Sequence, residues 1–178
     1  MVASSSAADP APFPASVSIP VGFPRPRQVG LDLRAGPRAA ESFLCRVAGA
    51  DVEARVRLPR EAWTVTVARN LASVVLADAS ETALSAVQIA ISEACANAVI
   101  HADPAKDYQV RIRTGPDWCQ VQVIDAGKGF DLASAPIMPA VTAASGRGLV
   151  LISAVVDRFE VRRRRPTGAV VRFATRLR

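Results

Sequence analysis

Residues 92–101 read Ser-Glu-Ala-Cys-Ala-Asn-Ala-Val-Ile-His, and the rest of the chain is best understood from this stretch. Glu93, Asn97 and His101 stand at i, i+4 and i+8. Four residues carry a helix of about 3.6 residues per turn only about 40° past a full revolution, so all three side chains leave one face. Leu84, Val87, Ile91, Ala94 and Ala98 follow helical spacing on the other side and are expected to be buried. An acid, an amide and an imidazole in line on an apolar helix fit a chemical site. They equally fit the wet edge of an ordinary amphipathic helix, and these residues alone leave both readings open.

Upstream of that helix, Val52, Ala54, Val56 and Leu58 alternate with polar residues as far as Pro59, the pattern of a half-buried strand. Residues 60–77 carry Trp63, Val67, Leu71, Val74 and Val75 at helical spacing, and Ser80 is placed to N-cap the helix ending at His101. Asp103-Pro104 closes that helix. Downstream, residues 108–114 and 118–124 alternate with period two about Gly115-Pro116-Asp117, which predicts a hairpin. A loop containing Pro136 and Pro139 leads to a helix over 148–156, and residues 158–165 and 169–176 make a last hairpin. This order predicts an α+β fold, a two-layer α/β sandwich whose mixed, mainly antiparallel sheet carries its helices on one face.

Composition divides the chain near residue 50. Seven of the 13 prolines precede Arg38, interleaved with Ser, Ala and Gly, so residues 1–50 are read as a flexible N-terminal extension and 51–178 as the folded domain. Within the extension, residues 43–47 are read as a short extra strand. A chain of 178 residues suffices for one domain with a core and an appendage.

No uninterrupted apolar run approaches the roughly 18–20 residues of a membrane span. MVASSSAADP lacks the charged and apolar regions of a signal peptide, so a cytoplasmic protein without a membrane partner is expected. Cys45, Cys95 and Cys119 show no CxxC spacing and support neither a disulfide framework nor a zinc site; they are expected as small buried hydrophobes. The net charge of +6 and the four arginines at 162–165 raise the question of nucleic acid. That run ends a strand and enters the Pro166-Thr167-Gly168 turn with no aromatic residues interleaved, so an acidic protein partner is favoured over direct nucleic-acid binding.

Two glycine clusters carry further chemistry. In Asp125-Ala126-Gly127-Lys128-Gly129, the glycines permit positive φ and close approach of a ligand, and Asp125 can accept hydrogen bonds from an amino-bearing ring. A plain turn would account for the same string. Ser145-Gly146-Arg147-Gly148-Leu149 opens the third helix, where unpaired N–H groups favour phosphate and Arg147 can add a charge-assisted contact. A simple loop-to-helix joint is the alternative there.

The order of these blocks, Glu93 and Asn97, then Asp125-x-Gly127-x-Gly129, then Gly146-x-Gly148, resembles the N, G1 and G2 boxes of the GHKL or Bergerat ATP-binding fold. Gyrase, Hsp90, histidine kinases and the mismatch-repair ATPases share that fold. The match covers residues 52–178, and ISEACANAVIHA looks most like the serine-protein kinases of the RsbW type that act as anti-sigma factors. The resemblance implies ATP and Mg²⁺ as cofactors, with Asn97 holding the metal and Glu93 as general base. It also implies Asp125 on the adenine amino group, Gly127 and Gly129 shaping that pocket, Gly146, Arg147, Gly148 and Leu149 around the phosphates, and an ATP lid over 131–145. His101 is assigned capping or packing rather than catalysis, and Arg69 lies near where relatives carry an arginine that reaches nucleotide or partner. The partners implied are a sigma factor and a STAS-domain anti-anti-sigma protein, with homodimerisation through the sheet.

His101 is the sole histidine and belongs to the N box, so a self-contained histidine kinase is not expected. Nor is there room for the transducer domain of the gyrase-like branch. The leading expectation is an ATP-dependent protein serine/threonine kinase acting as an anti-sigma factor. The alternative is an ATP-gated protein-binding module without kinase activity.

Overall fold

A computed structural model describes residues 42–48, 51–128 and 147–178. Strands β1 (Ser42–Ala48) and β2 (Asp51–Pro59) are followed by helices α1 (Thr64–Val75) and α2 (Glu81–His101). Then come β3 (Asp107–Thr114), β4 (Trp118–Asp125), α3 (Arg147–Val155), β5 (Arg158–Arg163) and β6 (Ala169–Arg176). The strands form one sheet in the order β1-β2-β3-β4-β6-β5.

Every ladder is antiparallel, where the sequence reading allowed a mixed sheet. The crossover through α3 does run between two parallel strands, β4 and β5, but β6 folds back between them and pairs with both. The expected strand over 43–47 is β1, paired with β2 from Ser42 opposite Arg57 to Ala48 opposite Asp51. Part of the stretch assigned by composition to the extension thus belongs to the sheet; residues 1–41 lie outside the described residues.

Alternate strand residues face the helices: Val56, Val110, Val123 and Val171 lie in register across four strands, all at most 5% exposed. From the helices, Leu71 on α1, Val87 and Ile91 on α2 and Ile152 on α3 are fully buried against them. Ser80 caps α2 as its position suggested, its Oγ accepting from Ala83 N at 3.3 Å. Two expectations shift. Leu84 is only partly buried and Val74 is largely exposed, because Ala68 and Ala72 on α1 and Ala83 and Ala90 on α2 supply the closely packed surfaces.

Helix α1 begins at Thr64, not at residue 60. Residues 61–63 form a turn closed by Thr64, whose Oγ1 donates to Glu61 O at 2.6 Å and stands 2.7 Å from Tyr108 Oη. Helix α2 is long and apolar enough to cross a membrane by length and composition. Here it packs against α1, α3, β4 and β6, as the central helix of the core. Cys95 and Cys119 are buried, as expected, and burial pushes both thiols up to about 12, whereas Cys45 on β1 is only partly buried.

The other face of the sheet carries no helix among the described residues, and its residues form three rows. Arg57, Gln109, Ile124, Val170 and Arg162 are in register; so are Arg55, Arg111, Gln122, Arg172 and Glu160. The third row is Glu53, Arg113, Gln120, Ala174 and Arg158.

Candidate functional site

The last turns of α2 pass over the ends of β4 and β6 and leave a cleft between them. Ala94, Asn97, Ala98 and His101 line it from the helix, and Val123, Asp125, Ala169 and Val171 from the sheet; it is narrow, and most of its space is open mouth. Alanine at 94 and 98 is what keeps the helix side low. The walls are therefore apolar, with polar groups at the rim, the usual make-up of a site for a flat ring.

Asp125 is the last residue of β4, and its Oδ1 accepts from Gly127 N at 2.9 Å and from Ala169 N at 3.3 Å. One oxygen is committed to holding the loop, and Oδ2 is the one with which Asp125 can meet a ligand. Gly127 is required for a different reason than its sequence suggested. Its φ is not positive; instead a Cβ there would lie 2.5 Å from the carbonyl carbon of Ala102, just past the end of α2. Lys128 N donates to Asp103 O at 3.0 Å, so the loop after β4 is seated on the C-terminus of α2.

Two residues that matter here carried little signal in the sequence. Gly168 has φ +109°, and a Cβ there would stand 2.2 Å from Asp125 O. It lets the β5–β6 turn close over Asp125 and deliver the Ala169 N–H; the Pro166-Thr167-Gly168 turn was legible, its target 43 residues upstream was not. Arg60 donates through Nε to Val99 O at 2.8 Å and through Nη1 to Ala105 O at 3.2 Å, with Asp103 Oδ1 3.6 Å away. A cation on the last carbonyls of α2 satisfies orphan acceptors and complements the helix dipole.

Glu93 lies one turn before Asn97 on the same edge, and α3 starts directly against both. A Cβ on Gly148 would be 2.7 Å from Glu93 Oε2 and 3.5 Å from Asn97 Nδ2. Asn97 Nδ2 is buried and has no hydrogen-bond partner among the described residues. Amide N and O exchange by a half-turn, so this position can equally present an oxygen. No group of three His, Cys, Asp or Glu side chains that could hold a metal occurs among the described residues. A cation at Asn97 would complete its shell from a ligand's oxygens and water, which is how Mg²⁺ is commonly held beside phosphates.

The structure thus brings Glu93, Asn97, Asp125, Gly127 and Gly148 to one end of α2. His101, the exposed last residue of α2, lines the cleft while Ala102 occupies the C-cap position. Arg147 is the exposed first residue of α3, and Leu149 packs partly buried against the core. Arg69 is exposed on α1, hydrogen-bonded to Thr66 at 3.5 Å, and does not line the cleft. Gly129, Gly146 and the stretch 131–145 read as a lid lie outside the described residues.

An antiparallel sheet with its helices on one face and a cleft under the central helix defines a two-layer α+β architecture. The family model for the histidine kinase-like ATPase domain matches residues 52–175, and the chain belongs to that family. The GHKL resemblance drawn from the three boxes is thereby borne out. No curated protein matches the sequence. Among solved structures, the chain is similar in fold to the RsbU and RsbW domains of Rv1364c from Mycobacterium tuberculosis, with a TM-score of 0.53 and 18% identity. The match covers 69% of this chain and 32% of the other, so this chain spans about a third of that protein's length.

Proposed function

We propose that the protein is an ATP-dependent serine/threonine kinase that acts as an anti-sigma factor, sequestering a sigma factor and phosphorylating a STAS-domain antagonist. The observation that carries this reading is the single edge of α2 on which Glu93 and Asn97 meet the start of α3, one turn from the cleft that ends at Asp125. An RsbW domain joined to an RsbU domain in the similar solved structure supports the partner-switching setting.

In this reading Asp125 Oδ2 would accept from the exocyclic amino group of adenine, with Ala94 and Ala98 of α2 and Val123 and Val171 of the sheet beneath the site. Asn97 offers one oxygen to Mg²⁺, and Gly148, Arg147 and Leu149 place the N-terminus of α3 toward the phosphates, where backbone N–H groups favour anions. Gly127 shapes the adenine pocket, and Gly129 and Gly146 are assigned to pocket and phosphates as the motif implies. Bound Mg-ATP supplies the transferable phosphoryl group. Glu93 takes the proton of a partner's serine or threonine hydroxyl as that oxygen bonds to the terminal phosphorus and ADP departs.

A second reading rests on the same contact. Because Gly148 seats α3 on the Glu93 carboxylate, occupancy of the site can be transmitted to α3 and to a partner without phosphoryl transfer. Capture of partners from native lysate in Mg-ATP with wild-type and Asp125→Asn protein, followed by mass spectrometry of their phosphosites, separates the two. A STAS protein that gains phosphoserine or phosphothreonine with the wild type alone supports the kinase. ATP-dependent capture without phosphate supports the gated module, and capture that ignores ATP contradicts both.

A further inference from the structure

Within the sheet, Arg55, Arg57, Arg111, Arg113, Arg162 and Arg172 each have a carboxylate oxygen within 3.8 Å. The end of β5 and the turn that follows it are built differently. Arg163, Arg164 and Arg165 are exposed, and their side chains make no hydrogen bond or ion pair among the described residues. Residues 161–169 read Val-Arg-Arg-Arg-Arg-Pro-Thr-Gly-Ala and contain no acid to answer them. Three successive like charges repel one another, and nothing local relieves that.

The turn that carries them is held in place. Arg164 N donates to Gly168 O at 2.9 Å, and Thr167 Oγ1 to Ala126 O at 3.4 Å. Gly168, at φ +109°, lies against Asp125 O. The backbone beneath the three guanidinium groups is therefore ordered before anything binds, which favours affinity. Alongside them, β5 ends the sheet. It pairs with β6 alone, so among the described residues its outer backbone edge is open. Phe159 and Val161 on this strand are only partly buried where they pack on the core. An open edge can take an extended polypeptide through main-chain hydrogen bonds.

We infer that β5 and the turn after it dock an extended acidic segment of a partner protein, its main chain along β5 and its carboxylates on Arg163, Arg164 and Arg165. Guanidinium forks suit planar carboxylates. A nucleic acid answers the charge but not the strand edge, and residues 160–169 hold no aromatic side chain to stack a base. A second copy of the chain fits poorly, because antiparallel pairing of β5 with itself sets Arg158 opposite Arg163, like charge on like. Nor do the chain's other segments supply the acid: residues 1–41 hold four arginines against three carboxylates, and residues 129–146 a single carboxylate. Arg163 is the register partner of Ala169, which lines the cleft, so a docked segment stands beside that site. The inference does not depend on what the cleft binds.

The test uses the full chain and a fluorescently labelled Glu-Val-Glu-Val-Glu-Val peptide, with binding read by anisotropy. Arg164→Glu/Arg165→Glu is the variant; both residues are exposed, and circular dichroism verifies the fold. Arg69→Glu/Lys106→Glu makes the same change in net charge elsewhere on the surface. Binding that weakens with salt, falls about tenfold in the turn variant and stays within about twofold in the other supports docking. The same peptide methylated on every backbone nitrogen keeps its charge and loses its donors, and is expected to bind at least about tenfold more weakly. The milder Arg164→Gln/Arg165→Gln pair leaves the turn free of new charge and is expected to weaken binding about threefold. No binding by the wild type, equal weakening by both reversals, or wild-type affinity in the glutamine pair overturns the inference. So does undiminished binding of the methylated peptide, or tighter binding of duplex DNA than of the acidic peptide.

Discussion

Gly148 and Glu93 sit so close that a methyl group on the glycine would come within 2.7 Å of Glu93 Oε2. The clash is with the far end of a flexible side chain, so the chain can yield there by moving the carboxylate. Gly148→Ala is therefore expected to change unfolding free energy by less than about 1 kcal/mol. A displacement of about 1 Å at the proposed base can cost about a hundredfold in rate. Urea melts paired with phosphoryl-transfer assays check this. A large loss of stability, or unchanged transfer, would contradict the assignment of Glu93.

Gly127 presents the opposite case, because its near neighbours are the C, Cα and O atoms of Ala102, all at 2.5 to 2.6 Å. Backbone cannot swing aside as a side chain does. Gly127→Ala is expected to destabilise the protein by about 1–3 kcal/mol, and to weaken ATP binding by unseating the loop that follows Asp125. Equilibrium unfolding and nucleotide titration read the two effects separately.

A buried hydroxyl pair ties the start of α1 to the sheet. Thr64 donates to Glu61 O, which leaves Tyr108 Oη as the donor to Thr64 Oγ1. Thr64→Val removes that acceptor and leaves the phenol only the Cys95 thiol as a side-chain partner, at an expected cost of about 1–3 kcal/mol. Thr64→Val combined with Tyr108→Phe is expected to cost less than the sum of the single changes, since neither partner is then left unpaired. Full additivity in the double-mutant cycle would show that the two hydroxyls do not interact.

For Glu53, burial raises the carboxyl pKa, but the hydrogen bonds from Arg55 and Arg111 outweigh it and hold the group below its ordinary value. A depressed folded-state pKa gives stability that is fully present above the unfolded value of about 4.3 and is lost as pH falls through the folded value. Glu53→Gln is thus expected to destabilise the protein near neutral pH, by about 2 kcal/mol for charged hydrogen bonds. The gap to wild type should close as the pH drops below the glutamate range. Melting curves across that range test the sign; a gap that widened in acid would refute it.

What the sequence disclosed was local in origin. Alternation over 108–114 and 118–124 gave the central hairpin, and Ser80 gave the start of α2, because strand pleat and helix capping are written in consecutive residues. The edge bearing Glu93 and Asn97 was legible from helical period alone. What stayed hidden depends on distant partners. Nothing near Val74 reveals that alanines 68 and 72 would turn α1 and leave it exposed. Nothing near Asp125 reveals that Ala169 N–H would hold it, and Gly127 was given a turn's reason when its glycine is required by the backbone of Ala102. The arginines of β2, β3 and β6 looked like ordinary strand polarity until register set them side by side.

The measurement that bears most directly on the central claim is calorimetric titration of Mg-ATP into wild type, Asp125→Asn and Glu93→Gln. Asparagine retains the oxygen that accepts from Gly127 N and Ala169 N, so the fold is preserved while the ligand-facing oxygen becomes a donor. The expected result is one-to-one binding by the wild type and a loss of at least about tenfold, or 1.4 kcal/mol, in Asp125→Asn. Glu93→Gln should bind almost as tightly as wild type and be deficient in transfer alone. Wild-type protein that fails to bind Mg-ATP, or Asp125→Asn protein that binds it equally well, would contradict the placement of the nucleotide under α2.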